Sequence, residues 1–225
     1  MIKFKLALVS AVAAALLVPA AAQAQLSFNI GAVSLYKSSG IDQDSVPNKD
    51  NKNFRPAIQG GVDYDFGNGF YVGNWNSTGK FDGADLEIDL YGGYRGEITK
   101  GLGYDLGVTR FIYPGAGTGW NGNEAYAILS YAAFSAKITR MVSGVAEGSS
   151  RFSLGYTRPL TEKLTLKAGV GFRNKKAGSH DDYSLGVSYD LGNALTVSAT
   201  LAGATDKSVS DARDNRLVLG VSKSF

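Results

Sequence analysis

The chain has 225 residues, of which 44% are apolar and 19% charged, with a formal charge of +3. That length suits one domain of ordinary size, and the absence of cysteine excludes disulfides and thiolate metal sites. No basic tract carries interleaved aromatics, which excludes the usual nucleic-acid footprint, and so slight a net charge names no other partner.

Lys3 and Lys5 open the chain, Leu6 to Val18 follow as an apolar stretch, and Ala22-Gln23-Ala24 is a small-x-small site. This is the three-part layout of a cleaved secretory signal, so residues 1–24 are expected to leave and a single domain, 25–225, to remain. Losing the two lysines takes the charge to about +1. The apolar stretch is shorter than the ~20 residues a spanning helix needs. Nothing after Gln25 is apolar for long enough either, so any membrane crossing falls to strands. The composition agrees: 12 Tyr and 11 Phe favour strands, 29 Gly suit turns and crowded interiors, and Pro numbers only 5.

Along the chain, alternation marks about twelve segments of roughly ten residues, the length of a tilted transmembrane strand. The first long connection, Ser38 to Phe54, holds Asp42, Asp44 and Asp50. Their spacing lacks the central glycine and closing glutamate of a calcium loop, so a solvated loop is expected. Gly67-Asn68-Gly69 is tight and Ser77 to Ala84 is read as long. From Asp85 to Arg95, Leu86, Ile88, Leu90 and Tyr94 oppose Asp85, Glu87, Asp89, Tyr91 and Arg95. Glu97 to Gly101 is tight again. Pro114 to Gly122 is long and contains Gly117-Thr118-Gly119-Trp120-Asn121-Gly122, a match to the dinucleotide pattern. Glu124 to Tyr131 reads as a strand, so the crossover helix that cofactor binding requires is missing and no cofactor is expected.

Ala132-Ala133 is tight, Ser143 to Ser149 long, and Pro159 to Lys163 tight. Leu164, Leu166, Ala168, Val170 and Phe172 then oppose Thr165, Lys167, Gly169, Gly171 and Arg173. The next long connection, Asn174 to Asp181, carries His180, the only histidine. Ser179-His180-Asp181 suggests a hydrolase, but neighbours on one loop do not converge as a triad must, so an exposed polar loop is expected. A barrel lipid hydrolase is kept as the enzymatic alternative. Tyr183, Leu185, Val187, Tyr189 and Leu191 oppose Ser184, Gly186, Ser188 and Asp190. Gly192 to Ala194 is tight and Thr205 to Asn215 long. In the last strand, Leu217, Leu219, Val221 and Phe225 share a face opposite Arg216, Gly220, Ser222 and Ser224.

Short and long connections thus alternate. The pattern predicts an antiparallel transmembrane β-barrel of about twelve strands, with short periplasmic turns and longer extracellular loops. A soluble exported β-sandwich is the structural alternative; it would also alternate but has no reason to sort its loops.

Several strands resemble the TorF-type family of proteobacterial porins. The similar runs are Pro56 to Tyr64, Gly69 to Trp75, Leu86 to Tyr94, Gly103 to Val108, Tyr113-Pro114-Gly115 and Ser222 to Phe225. One departure is Ser39 before Gly40-Ile41, where such proteins tend to carry arginine, so no role resting on that arginine transfers. The resemblance implies an outer-membrane barrel with a pore function, and supplies neither substrate nor catalytic residues.

If the apolar parity faces lipid, the other parity lines the lumen. The candidates are then Asp63, Asp65, Glu87, Asp89, Asp105, Glu124 and Asp190, with Arg95, Lys137, Lys167, Arg173 and Arg216. They would tune passage of small polar solutes or ions, or else pair and plug the barrel. Gly61, Gly93, Gly107, Gly169, Gly171 and Gly186 are expected to leave room for a narrow pore. The runner-up is a non-conducting barrel used for surface interaction. Tyr36, Trp75, Tyr113, Phe172 and Tyr183 would form an outer aromatic girdle. Phe28, Phe66, Tyr104, Tyr131, Phe134, Tyr189 and Phe225 would form an inner one. Expected partners are outer-membrane lipid, lipopolysaccharide and, through the strand ending at Phe225, the barrel-assembly machinery.

Overall fold

A computed structural model describes residues 25–43, 54–117, 119–174, 179–205 and 211–225. The expected signal, 1–24, lies outside them. After β1 (Gln25–Val33) comes a miniature hairpin, β2 (Lys37–Ser38) and β3 (Ile41–Asp42). Next are β4 (Ala57–Asp65), β5 (Phe70–Phe81), β6 (Ala84–Thr99), β7 (Leu102–Ile112), β8 (Gly122–Tyr131) and β9 (Phe134–Ser143). The last five are β10 (Ser150–Pro159), β11 (Leu164–Asn174), β12 (His180–Gly192), β13 (Leu195–Ala204) and β14 (Arg216–Ser224). Apart from β2 and β3, the strands form one closed antiparallel barrel of twelve. Each pairs with its sequence neighbour, and β1 closes on β14 from Asn29↔Ser224 to Val33↔Gly220.

The barrel is apolar outside and polar inside. Leu26, Ile30, Ile58, Leu106, Leu185, Leu217 and Leu219 all stand exposed, whereas Glu87, His180, Asp182 and Arg216 are buried. A soluble sandwich would have the opposite distribution, because its apolar face must leave water. Closure also leaves no free sheet edge.

Inner connections are short, as at 132–133 between β8 and β9 and at 193–194 between β12 and β13. The outer ones are long, with one exception that corrects the reading of Ser77 to Ala84. There β5 runs on through a bulge to Phe81 and turns into β6 over Asp82 and Gly83 alone. Both turn residues are left-handed, with φ of 47° and 99°, as a type I′ hairpin demands.

Aromatic pairs ring the inner end: Tyr64–Phe66, Phe70–Tyr94, Tyr94–Tyr104 and Phe134–Tyr156. Three members of the expected outer girdle do not face outward. Tyr36 and Trp75 pack edge to face at 5.5 Å inside the mouth, and the Tyr113 hydroxyl donates to Glu87 Oε1 at 2.6 Å.

Candidate functional site: the barrel interior

Period two places Asp63, Asp65, Glu87, Asp89, Arg95, Asp105, Glu124, Lys137, Lys167, Arg173, Asp190 and Arg216 on the faces opposite the exposed apolar residues. The closed strand order then sorts them by sign. Six carboxylates lie on the contiguous arc β4–β8, at Asp63, Asp65, Glu87, Asp89, Asp105 and Glu124. Lys137, Lys167, Arg173 and Arg216 lie on the arc β9–β14.

Ion pairing does little to cancel the acidic arc. Arg95 pairs with Asp65 and covers the Tyr71 ring at 5.0 Å, but most of the other acids take their hydrogen bonds from neutral phenols. Tyr91 donates to Asp63, Tyr71 to Asp105 and Tyr113 to Glu87. The Tyr71 and Tyr126 hydroxyls also meet each other. A phenol satisfies a carboxylate without bringing a positive charge, so these contacts are hydrogen bonds and not ion pairs. Asp63 Oδ2, Glu87 Oε2 and Asp89 Oδ1 are buried without a hydrogen-bond partner.

On the basic arc, Arg151 grips Asp182 through two bonds, at 2.8 and 2.7 Å. Arg151 also stands directly opposite Arg173 in register, and Arg173 donates to the Ser39 hydroxyl at 3.3 Å. Lys137 lies 4.8 Å over the Tyr126 ring. Asp190 acts locally, its carboxylate accepting from the Gly192 N–H at 2.7 Å and so capping the inner turn.

Tyr71, Tyr126, Arg151 and Asp182 were not among the sequence candidates, although their parity would have found them. The interior glycines act differently from expectation. A Cβ on Gly93 would collide with the Tyr71 ring, and one on Gly107 with Tyr126. These glycines are seats for tyrosine side chains from neighbouring strands, so the room they leave is filled.

The first outer connection folds inward. Ser39 and Gly40 turn the β2–β3 hairpin with φ of 46° and 72°, and Gly40 is buried against Gly203 and Asp182. At its base, Lys37 donates to Asp42 at 2.5 Å and to the Ala212 carbonyl at 3.0 Å. Arg216 reaches the other Asp42 oxygen at 3.2 Å and also Asp214. Burial pushes the Lys37 ammonium below its ordinary range, against the pull of Asp42. Asp42 is therefore an ionic anchor, and Asp44 and Asp50 lie outside the described residues.

His180 is also a correction. It opens β12 and is only 3% exposed, lying against the Ser39 backbone rather than on a loop in water. No carboxylate hydrogen-bonds the ring, as a triad needs. Trp120 is folded onto the β5–β6 turn, donating to Asp82 at 2.9 Å, and β8 starts at Gly122 with no helix in the dinucleotide position. Phe225 closes the inner seam, its N–H donating to the Phe28 carbonyl at 2.9 Å.

Among solved structures, the KdgM porin superposes with a TM-score of 0.64 at 9% identity, covering 88% of this chain and 99% of that one. The KdgM porin in complex with disordered oligogalacturonate gives 0.62 at 10% identity with the same coverage. A crystal structure of Acinetobacter baumannii OccAB2 matches more loosely, at 0.43 and 9% identity, over 76% of this chain and 55% of that one. At these identities the likeness concerns the fold. No curated protein matches. A family model described as "Bacterial protein of unknown function (Gcw_chp)" matches residues 18–225, and the chain belongs to that family.

Proposed function

We propose that the protein is an outer-membrane, porin-like barrel through which small polar solutes or ions pass passively. It would be exported after loss of residues 1–24, and the TorF-type assignment belongs to the same reading. The observation that carries it is the set of ionisable side chains inside the barrel: carboxylates bonded by phenols face lysines and arginines across the interior, within an apolar outer wall. A barrel that only needed filling would gain more from apolar packing, since buried charge costs free energy unless water reaches it. No catalytic group is assigned. The exposed outer residues would meet lipid and lipopolysaccharide, and the strand ending at Phe225 would present the chain to the barrel-assembly machinery.

The test is single-channel conductance of the refolded 25–225 chain in a planar bilayer, beside Glu124→Gln and Lys167→Gln. Reproducible steps whose ion preference moves in opposite directions in the two variants are expected. A silent bilayer, from protein shown to be folded by heat-modifiable gel migration, would overturn the reading. The second reading, a closed barrel used for surface interaction, draws on the tyrosine-filled glycine seats and the hairpin inside the mouth.

A further inference from the structure

We infer that the β2–β3 hairpin, latched through Asp42, sets the width of the passage and so determines which solutes fit; this rests on the porin reading above. In the ring of twelve strands, β5 and β11 stand six places apart, on opposite sides of the barrel. The hairpin segment touches both. Towards β5 and β6, Tyr36 packs on Trp75 and reaches Glu87, while the Gln43 carbonyl accepts from Lys80 N–H at 3.2 Å. Towards β11 and β12, Ser39 Oγ accepts from Arg173 at 3.3 Å and Gly40 lies against Asp182. A segment meeting opposite walls crosses the opening rather than lining it. Beside it remains a pocket of about 280 Å³ lined by Tyr36, Gln43, Arg55, Thr78, Lys80 and Asp85.

The seat is not saturated with bonds. Glu87 Oε2 at one end and Arg173 Nε at the other are buried without hydrogen-bond partners. Water would solvate these groups if the hairpin left, so covering them opposes the seated state. What holds the hairpin is the buried cluster of Lys37, Asp42 and Arg216, together with the close fit of Gly40. Removing the carboxylate that joins the two cations breaks both of its buried ion pairs at the base of the hairpin, while Arg216 keeps Asp214.

Two unrelated substitutions should therefore unseat it. Asp42→Asn removes the shared charge. Gly40→Val leaves every charge in place but drives a Cβ into the Gly203 carbonyl and the Asp182 Cβ, at a φ that valine does not adopt. Asp42→Glu keeps the charge and serves as the conservative control. Conductance follows the narrowest section, so both unseating variants should raise single-channel conductance roughly twofold or more, while Asp42→Glu stays near the parent. Hairpin position is read separately by placing Ser38→Cys in this cysteine-free chain and timing its reaction with a bulky maleimide. Faster labelling is expected with Asp42→Asn and with Gly40→Val.

Faster labelling with unchanged conductance in a conducting barrel would overturn the hairpin as the constriction. Unchanged labelling in both variants would overturn the latch. Faster labelling in barrels that are all silent would remove the passage itself, and the inference with it.

Discussion

At the scale of single residues, position along a strand decides what a charge costs. Leu219 and Ser222 lie on the same strand, three positions apart, and period two sends them to opposite faces. Leu219 is exposed in the apolar band, whereas Ser222 lies inside beside Gly31. Leu219→Arg should cost about 2–4 kcal/mol near the bilayer midplane, and Ser222→Arg clearly less. Urea unfolding of the refolded barrel in lipid measures both, and equal losses would mean the faces are wrongly assigned. Parity of this kind was legible in the sequence because it needs only the identity of alternate residues. What each interior residue bonds was not. The Arg151–Asp182 grip joins residues 31 apart in sequence, and nothing local to either names the other.

At the scale of elements, strands with clean alternation were readable and irregular connections were not. Between Ser77 and Ala84 the alternation breaks at a bulge, which looks like the start of a loop. The stronger signal was the Asp82-Gly83 dipeptide, the chemistry of a two-residue hairpin. Asp82 has a φ of 47° and also accepts from Trp120, so it ties the turn to the next outer connection. Asp82→Asn retains both the tolerance for that φ and an acceptor. Asp82→Val keeps neither and should cost roughly 1–2 kcal/mol. The same unfolding assay separates them, and indistinguishable variants would mean that the turn bears no strain. The hairpin at Ser39-Gly40 escaped notice for a related reason: its strands are two residues each, too short for period two to register. The interior glycines misled in another way, because whether a glycine opens space or seats a neighbour's ring depends on the strand alongside.

At the scale of the whole molecule, the closed order converts a scattered set of charges into two opposed walls, a property that belongs to no single strand. Three acids of one arc are met by phenols rather than by cations, and on the other arc Arg173 bonds the Ser39 hydroxyl rather than a carboxylate. In the proposed pore such walls would act on an ion through water, so salt must screen them. The Debye length falls from about 10 Å at 0.1 M to about 3 Å at 1 M, from comparable with a narrow lumen to well within it. Glu124→Gln on one wall and Lys137→Gln on the other should therefore move the zero-current potential under a salt gradient in opposite directions. Both displacements should shrink severalfold when the mean salt is raised from 0.1 to 1 M. Displacements that persist undiminished at high salt would show that each side chain contacts the ion directly, leaving no role for the summed field of the arcs.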